Sequence, residues 1–161
     1  MDEHAGPIVE KAVVQTYWNL RLRSDGIVWL SRRHVPYPSI QAVHTSYDEF
    51  LAAVDDWLLE RRIKSGKIGT RTKVPMAWLT DMRDAPDMRN DPAFEAVVKE
   101  RRPELLERSA ALGVLVNTSA GQMQLNRITT TKDTVIGVFS DPDEIVPWLI
   151  VRMRELFGRS G

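Results

Sequence analysis

The chain has 161 residues, no cysteine, and 22 basic against 22 acidic side chains. Those totals exclude a disulfide framework, a thiolate metal site and thiol catalysis, and they leave no global field to draw nucleic acid or an anionic membrane. At 43% hydrophobic and 27% charged, the composition is that of one globular domain able to bury roughly 70% of its unfolded surface.

Residues 1–11 are read as a flexible N-terminal arm and 12–161 as a single domain. From Val14 the even positions Thr16, Trp18, Leu20 and Leu22 alternate with Gln15, Tyr17, Asn19 and Arg21, the period of a half-buried strand. Ser24-Asp25-Gly26 is a turn signal, and Ile27 to Ser31 resumes as a second strand, giving an antiparallel hairpin closed off by Pro36 and Pro38. Ser46 and Glu49 form a capping box, so a helix is expected from Ser46 to about Ser65. Its apolar stripe is Phe50, Leu51, Val54, Trp57 and Leu58, with Gly66 as the stop. Val74 to Thr80 is nearly continuous in apolar residues, as a central strand covered on both faces would be.

An Asp-rich loop follows, and Asp91-Pro92 starts the next helix, with a kink or restart expected at Pro103. Leu112 to Val116 reads as a strand, 121–128 as a brief helix, Val135 to Phe139 as the last strand, and Asp141-Pro142 as the start of the final helix. The expected fold is therefore α/β. It is a mixed, mostly parallel sheet of about five strands with an N-terminal antiparallel hairpin and four to five helices.

In parallel sheets ligands bind beyond the carboxyl ends of the strands. That end should gather Asp81 and its loop, Asn117, Thr118, Ser119, Ser140 and Asp141. Asp81, Asp84, Asp87, Asp91 and Asp141 outnumber Arg83 and Arg89 there, which suits a basic partner or a hard cation better than a phosphate. The competing reading is that these are caps and turn residues facing solvent. The basic run Arg61 to Lys73 should lie at the opposite end, roughly 25 Å away at about 3.3 Å per strand residue. It contains no aromatic side chain on which single-stranded bases could stack.

Other chemistry finds little purchase. His4, His34 and His44 lack metal-ligand spacing, and the nucleophile-elbow, P-loop and dinucleotide fingerprints are missing. A receiver-like arrangement around Asp81 and Thr118 lacks the acidic pair and the lysine it requires. The five tryptophans fall on apolar faces, with Trp18 and Trp29 as candidates for exposure on the hairpin edge, and Tyr37 between two prolines is a candidate surface contact. No apolar run reaches the roughly 18 residues of a membrane span. The acidic start, Met1-Asp2-Glu3-His4, lacks a signal-peptide pattern, so a cytoplasmic location is expected.

The run Trp78-Leu79-Thr80-Asp81-Met82-Arg83-Asp84-Ala85-Pro86, then Asn90-Asp91-Pro92-Ala93-Phe94 and Gly113-Val114-Leu115-Val116-Asn117-Thr118, with Phe139-Ser140-Asp141 and Trp148-Leu149, resembles the STAS fold. More narrowly, it looks like the SpoIIAA-like branch of short bacterial proteins, sometimes grouped with Sec14-type lipid-binding domains. The resemblance spans roughly Val14 to Leu149. It implies a regulatory interaction module, usually switched by phosphorylation of a Ser or Thr at the helix after the third strand. Here that neighbourhood, Asp87 to Pro92, has no hydroxyl. Asp91 is read first as a helix cap, and a permanent phosphate mimic is the alternative.

The first expectation is thus a non-enzymatic module that binds a protein of basic surface through Asp81, Arg83, Asp84, Asp87, Arg89, Asn90, Asp91, Thr118 and Ser119. No catalytic residue, metal, cofactor or nucleic-acid partner is expected. The second is a small-ligand or lipid carrier with a pocket between sheet and helices. The third is a metal-assisted phosphohydrolase using Asp81 and Asp84.

Overall fold

The structure is a computed structural model that describes residues 6–64, 75–86, 91–117 and 136–158. Six strands form one sheet in sequential order: β1 (Val9–Val14), β2 (Trp18–Arg23), β3 (Ile27–Arg32), β4 (Ala77–Asp81), β5 (Leu112–Leu115) and β6 (Ile136–Phe139). β1, β2 and β3 run as an antiparallel meander, and β3 to β6 are parallel. Three helices accompany them among the described residues: α1 (Ile40–Lys64), α2 (Pro92–Arg108) and α3 (Pro142–Gly158). The α/β class is as expected; among the described residues there are six strands against the expected five or so, and three helices. The helix expected at 121–128 lies outside the described residues.

The additional strand comes from splitting the first. The chain reverses between Val14 and Trp18, where Gln15 N donates to Trp18 O at 2.9 Å, so that Val14 faces Asn19. No glycine or proline marks this turn, and the period-2 alternation runs through it unbroken, which is why it reads as one strand. β1 therefore begins at Val9, within the stretch expected to be an arm. Glu10 ties it to α1, accepting from Trp57 Nε1 at 3.0 Å and from Arg61 at 3.3 Å. The β2–β3 turn forms where expected. Gly26 has φ 92°, and a Cβ there would sit 2.7 Å from the Pro75 carbonyl, so both backbone and space require glycine.

α1 starts six residues before the expected capping box. Ser39 Oγ accepts from Ala42 N at 3.2 Å and caps the helix. Ser46 lies in the interior, donating to Val43 O at 2.8 Å. At α2 the expected cap forms: Asp91 Oδ1 accepts from Ala93 N at 3.0 Å and Phe94 N at 3.4 Å. The helix continues across Pro103 to Arg108 as one element, so of the kink or restart expected there the restart does not occur.

Strand alternation sorts the core into two layers. Facing α1 and α2 lie Leu20, Leu22, Val28, Leu30, Trp78, Leu112 and Val114, packed on Phe50, Val54 and Trp57. Trp18, one of two candidates for exposure on the hairpin edge, is buried in this layer. Facing α3 lie Ile27, Ala77, Leu79 and Leu115, packed on Ile145 and Leu149. Among the described residues no helix is long and apolar enough to cross a membrane.

Candidate functional site

The parallel strands bring Arg32 (end of β3), Asp81 (end of β4) and Asn117 (beyond β5) to one end of the sheet. Asp81 follows the phase of Ala77 and Leu79 and is 8% exposed. Its Oδ1 accepts from Arg83 N at 3.2 Å and Nε at 2.9 Å, and its Oδ2 from Arg83 Nη2 at 2.9 Å and Trp29 Nε1 at 3.2 Å. Burial alone would raise the Asp81 pKa. The bonds from the Arg83 side chain and backbone and from Trp29 outweigh it and hold the carboxyl below its usual range.

The loop that follows is pinned at two carbonyls, with Asn117 Nδ2 donating to Arg83 O at 2.6 Å and His34 Nδ1 donating to Asp84 O at 3.1 Å. The Asp84 side chain is exposed, and Asp91 is occupied by its cap. Of the expected interaction residues, Asp81, Arg83, Asp84 and Asp91 are therefore on view, and Asp87, Arg89, Asn90, Thr118 and Ser119 lie outside the described residues. Asp81 is buried, and both of its carboxylate oxygens are engaged by Arg83 and Trp29.

The described part of this end is also less acidic than expected. Arg33 and His34 join Arg83 and Asp84 around a groove of about 490 Å³, whose floor includes Asn19 and Ser31. Arg33 is held by the carbonyls of Gln15 at 2.6 Å and Thr16 at 3.2 Å. Residues 65–74, most of the expected basic run, lie outside the described residues. Arg61, at its start, pairs with Glu10 and covers the Trp57 ring at 4.7 Å.

A second feature was expected only in outline. Between the sheet and helices α1 and α2 lies a cavity of about 100 Å³ walled by Trp18, Tyr37, Tyr47 and Phe50, with Leu30, Thr80 and Val114 on its floor. Two arginines, Arg32 and Arg102, complete the lining at 2% and 7% exposure. Arg32 donates to the carbonyls of Tyr17 (3.1 Å), Arg33 (2.7 Å) and Val35 (2.8 Å), and its guanidinium lies 4.1 Å from the Tyr37 ring centre. Burial lowers the pKa of both arginines, with the nearby tyrosines opposing the shift.

Tyr37 is half-buried and packs against the core. It closes a chain in which Trp18 Nε1 donates to Tyr37 Oη at 3.0 Å, Tyr37 Oη donates to Ser46 Oγ at 2.8 Å, and Ser46 donates to Val43 O. Desolvation raises the Tyr37 pKa despite the Ser46 bond, and burial raises that of Tyr47 more strongly. Both phenols therefore stay un-ionised around neutral pH.

Sequence reasoning did not single out Arg32. The signal lay in its phase: it falls two positions beyond Leu30 and four beyond Val28, on the buried side of β3. Among the described residues, no three His, Asp or Glu side chains come together in a way that could hold a metal ion. Fold and site thus define an α/β domain with one six-stranded sheet, a cationic groove at the carboxyl end and an aromatic cavity under α1 and α2. Compared with family models, with curated proteins and with solved structures, the chain matches none.

Proposed function

We propose that the domain is a non-enzymatic binding module that holds a small, largely apolar ligand between its sheet and helices α1 and α2. The observation that carries this reading is the aromatic-walled cavity of about 100 Å³ within the larger core layer. Filling a space of that size is worth up to about 2 kcal/mol at roughly 24 cal/mol per Å³, so an occupant of matching shape would stabilise the fold on binding. The volume suits one small molecule better than an acyl chain, since a cavity of about 150 Å³ accommodates a benzene. Native mass spectrometry of gently purified protein tests the reading. A reproducible small-molecule adduct lost on denaturation supports it, and a clean apo mass that no small apolar probe alters counts against it.

Protein docking at the loop after β4 is the second reading. It is favoured by the pinning of the Arg83 and Asp84 carbonyls, which presents the exposed Asp84 carboxylate on a held backbone. Changing Asp84 and Asp87 to Lys should then remove a co-purifying partner of basic surface while leaving the circular dichroism unchanged. An identical set of partners would end it. Metal-assisted phosphoester chemistry draws no support from Asp81, whose oxygens already accept from Arg83 and Trp29 and whose low pKa makes it a poor base.

A further inference from the structure

The groove at the carboxyl end is chemically unlike the cavity under α1 and α2. Its volume of about 490 Å³ falls within the roughly 300–1,000 Å³ of small-molecule sites, and polar residues make up most of its border. It lies just beyond the ends of β3 and β4, where parallel sheets place their ligands. Asn19 and Ser31, register partners across β2 and β3, form its floor.

Two arginines there are held on one side and open on the other. Arg33 donates from Nη1 to the carbonyls of Gln15 and Thr16, and its Nε and Nη2 have no partner among the described residues. Arg83 donates from Nε and Nη2 to Asp81, which leaves its Nη1 without one. None of these free nitrogens is sealed from solvent. Nε with Nη2 is an edge of the guanidinium that meets two oxygens of an oxyanion at once. Protein acceptors already fix both side chains, so little ordering remains to oppose binding.

Arg32, Arg33 and Arg83 stand against Asp84 at the border and Asp81 behind Arg83, a net excess of one positive charge. That excess is small, so selectivity rests on the fixed donors rather than on a broad field. A phosphate group offers three strong acceptor oxygens, enough for the Arg33 edge and Arg83 Nη1 together. The groove has room for more than a bare phosphate, and its floor of amide and hydroxyl suits a body that carries hydroxyls.

We propose that this groove binds a phosphomonoester on a small hydroxylated body, the phosphate on Arg33 and Arg83 and the hydroxyls over Asn19 and Ser31. The site is separate from the aromatic cavity, so its test stands apart from the ligand reading above.

That test is an NMR titration of the isotope-labelled full chain, in phosphate-free buffer of low salt, with glucose 6-phosphate, inorganic phosphate and glucose. Glucose 6-phosphate is expected to bind saturably and about tenfold more tightly than inorganic phosphate, a factor worth about 1.4 kcal/mol. Glucose should not bind, and the largest shifts should fall at Asn19, Ser31 and the side-chain signals of Arg33 and Arg83. Arg33→Lys keeps the charge and loses the two-point edge; it should weaken binding about tenfold. Asp84→Asn removes the bordering carboxylate and should strengthen binding about threefold. Sedimentation with phosphatidic-acid vesicles, against phosphatidylcholine vesicles, separates a lipid headgroup from a free compound. Vesicle binding without glucose 6-phosphate binding would overturn the free compound in favour of the headgroup. Equal affinity for inorganic phosphate would overturn the hydroxylated body, and unchanged affinity in Arg33→Lys would overturn the role of that edge. No binding of any probe, or glucose binding as well as its phosphate, would overturn the site itself.

Discussion

The two faces of the sheet are packed to different standards. Against α3 the fit leaves no slack: a Cβ on Gly113 would lie 2.8 Å from both Ile145 Cγ1 and Cδ1, closer than real side chains approach. One residue further along β5, on the other face, Val114 borders a cavity of about 100 Å³. Adjacent positions of one strand thus meet a closed wall and an open space. The tight face has the features of a core that holds the fold together. The loose face retains buried arginines and an unpaired hydroxyl, groups that a purely structural core would replace by hydrocarbon.

The largest effect should come from the tight face. Gly113→Val forces side-chain volume into Ile145 and should cost about 3 kcal/mol by urea denaturation, the upper end for overpacking. A loss below about 1 kcal/mol would show that α3 yields more easily than its packing implies.

Next comes Arg83→Gln at the carboxyl end, which leaves Asp81 buried with a weakened set of donors. The expected loss is about 2 kcal/mol near neutral pH. The native Asp81 pKa is depressed, so its contribution is fully present above the unfolded carboxyl pKa and disappears as pH falls through the native value. Wild-type protein should therefore lose this increment below about pH 4, and the variant, whose buried carboxyl titrates higher, should show a shallower acid decline. Parallel stability-against-pH curves would contradict the pairing.

On the loose face the sign should reverse. Thr80→Val removes an unsatisfied hydroxyl without changing shape, so the unliganded protein should gain up to about 1 kcal/mol. Loss of stability instead would mean that the hydroxyl has a partner in solution. The smallest change belongs to Val114→Ile, whose added methyl enters the cavity and should alter stability by less than about 0.5 kcal/mol. Set against Gly113→Val, it measures the difference between the faces within a single strand.

Much of this architecture could be read from local pattern. The Ser24-Asp25-Gly26 turn, the apolar stripe of α1, the buried run of β4 and the Asp91 cap all depend on neighbours in sequence. The turn after Val14 escaped notice because it uses no turn-forming glycine or proline and keeps the strand phase intact. The start of α1 was misplaced because a capping-box spacing recurs inside the helix, where Ser46 bonds backward to Val43 and across to Tyr37. At the acidic loop, composition shows how many carboxylates are present, but not that Asp81 is held by Arg83 and Trp29. The cavity had no local signature. It arises where Trp18, Thr80 and Arg102, from a strand, another strand and a helix far apart in sequence, converge on one space.

The account turns on that space being open to an apolar guest. A crystal structure determined under xenon pressure tests this most directly, because xenon enters dry, apolar, reachable cavities. The account predicts a xenon atom seated against Phe50 and Leu30 near Thr80. A xenon-free cavity filled by ordered waters bonded to Thr80 Oγ1, or closed by inward movement of α2, would contradict it.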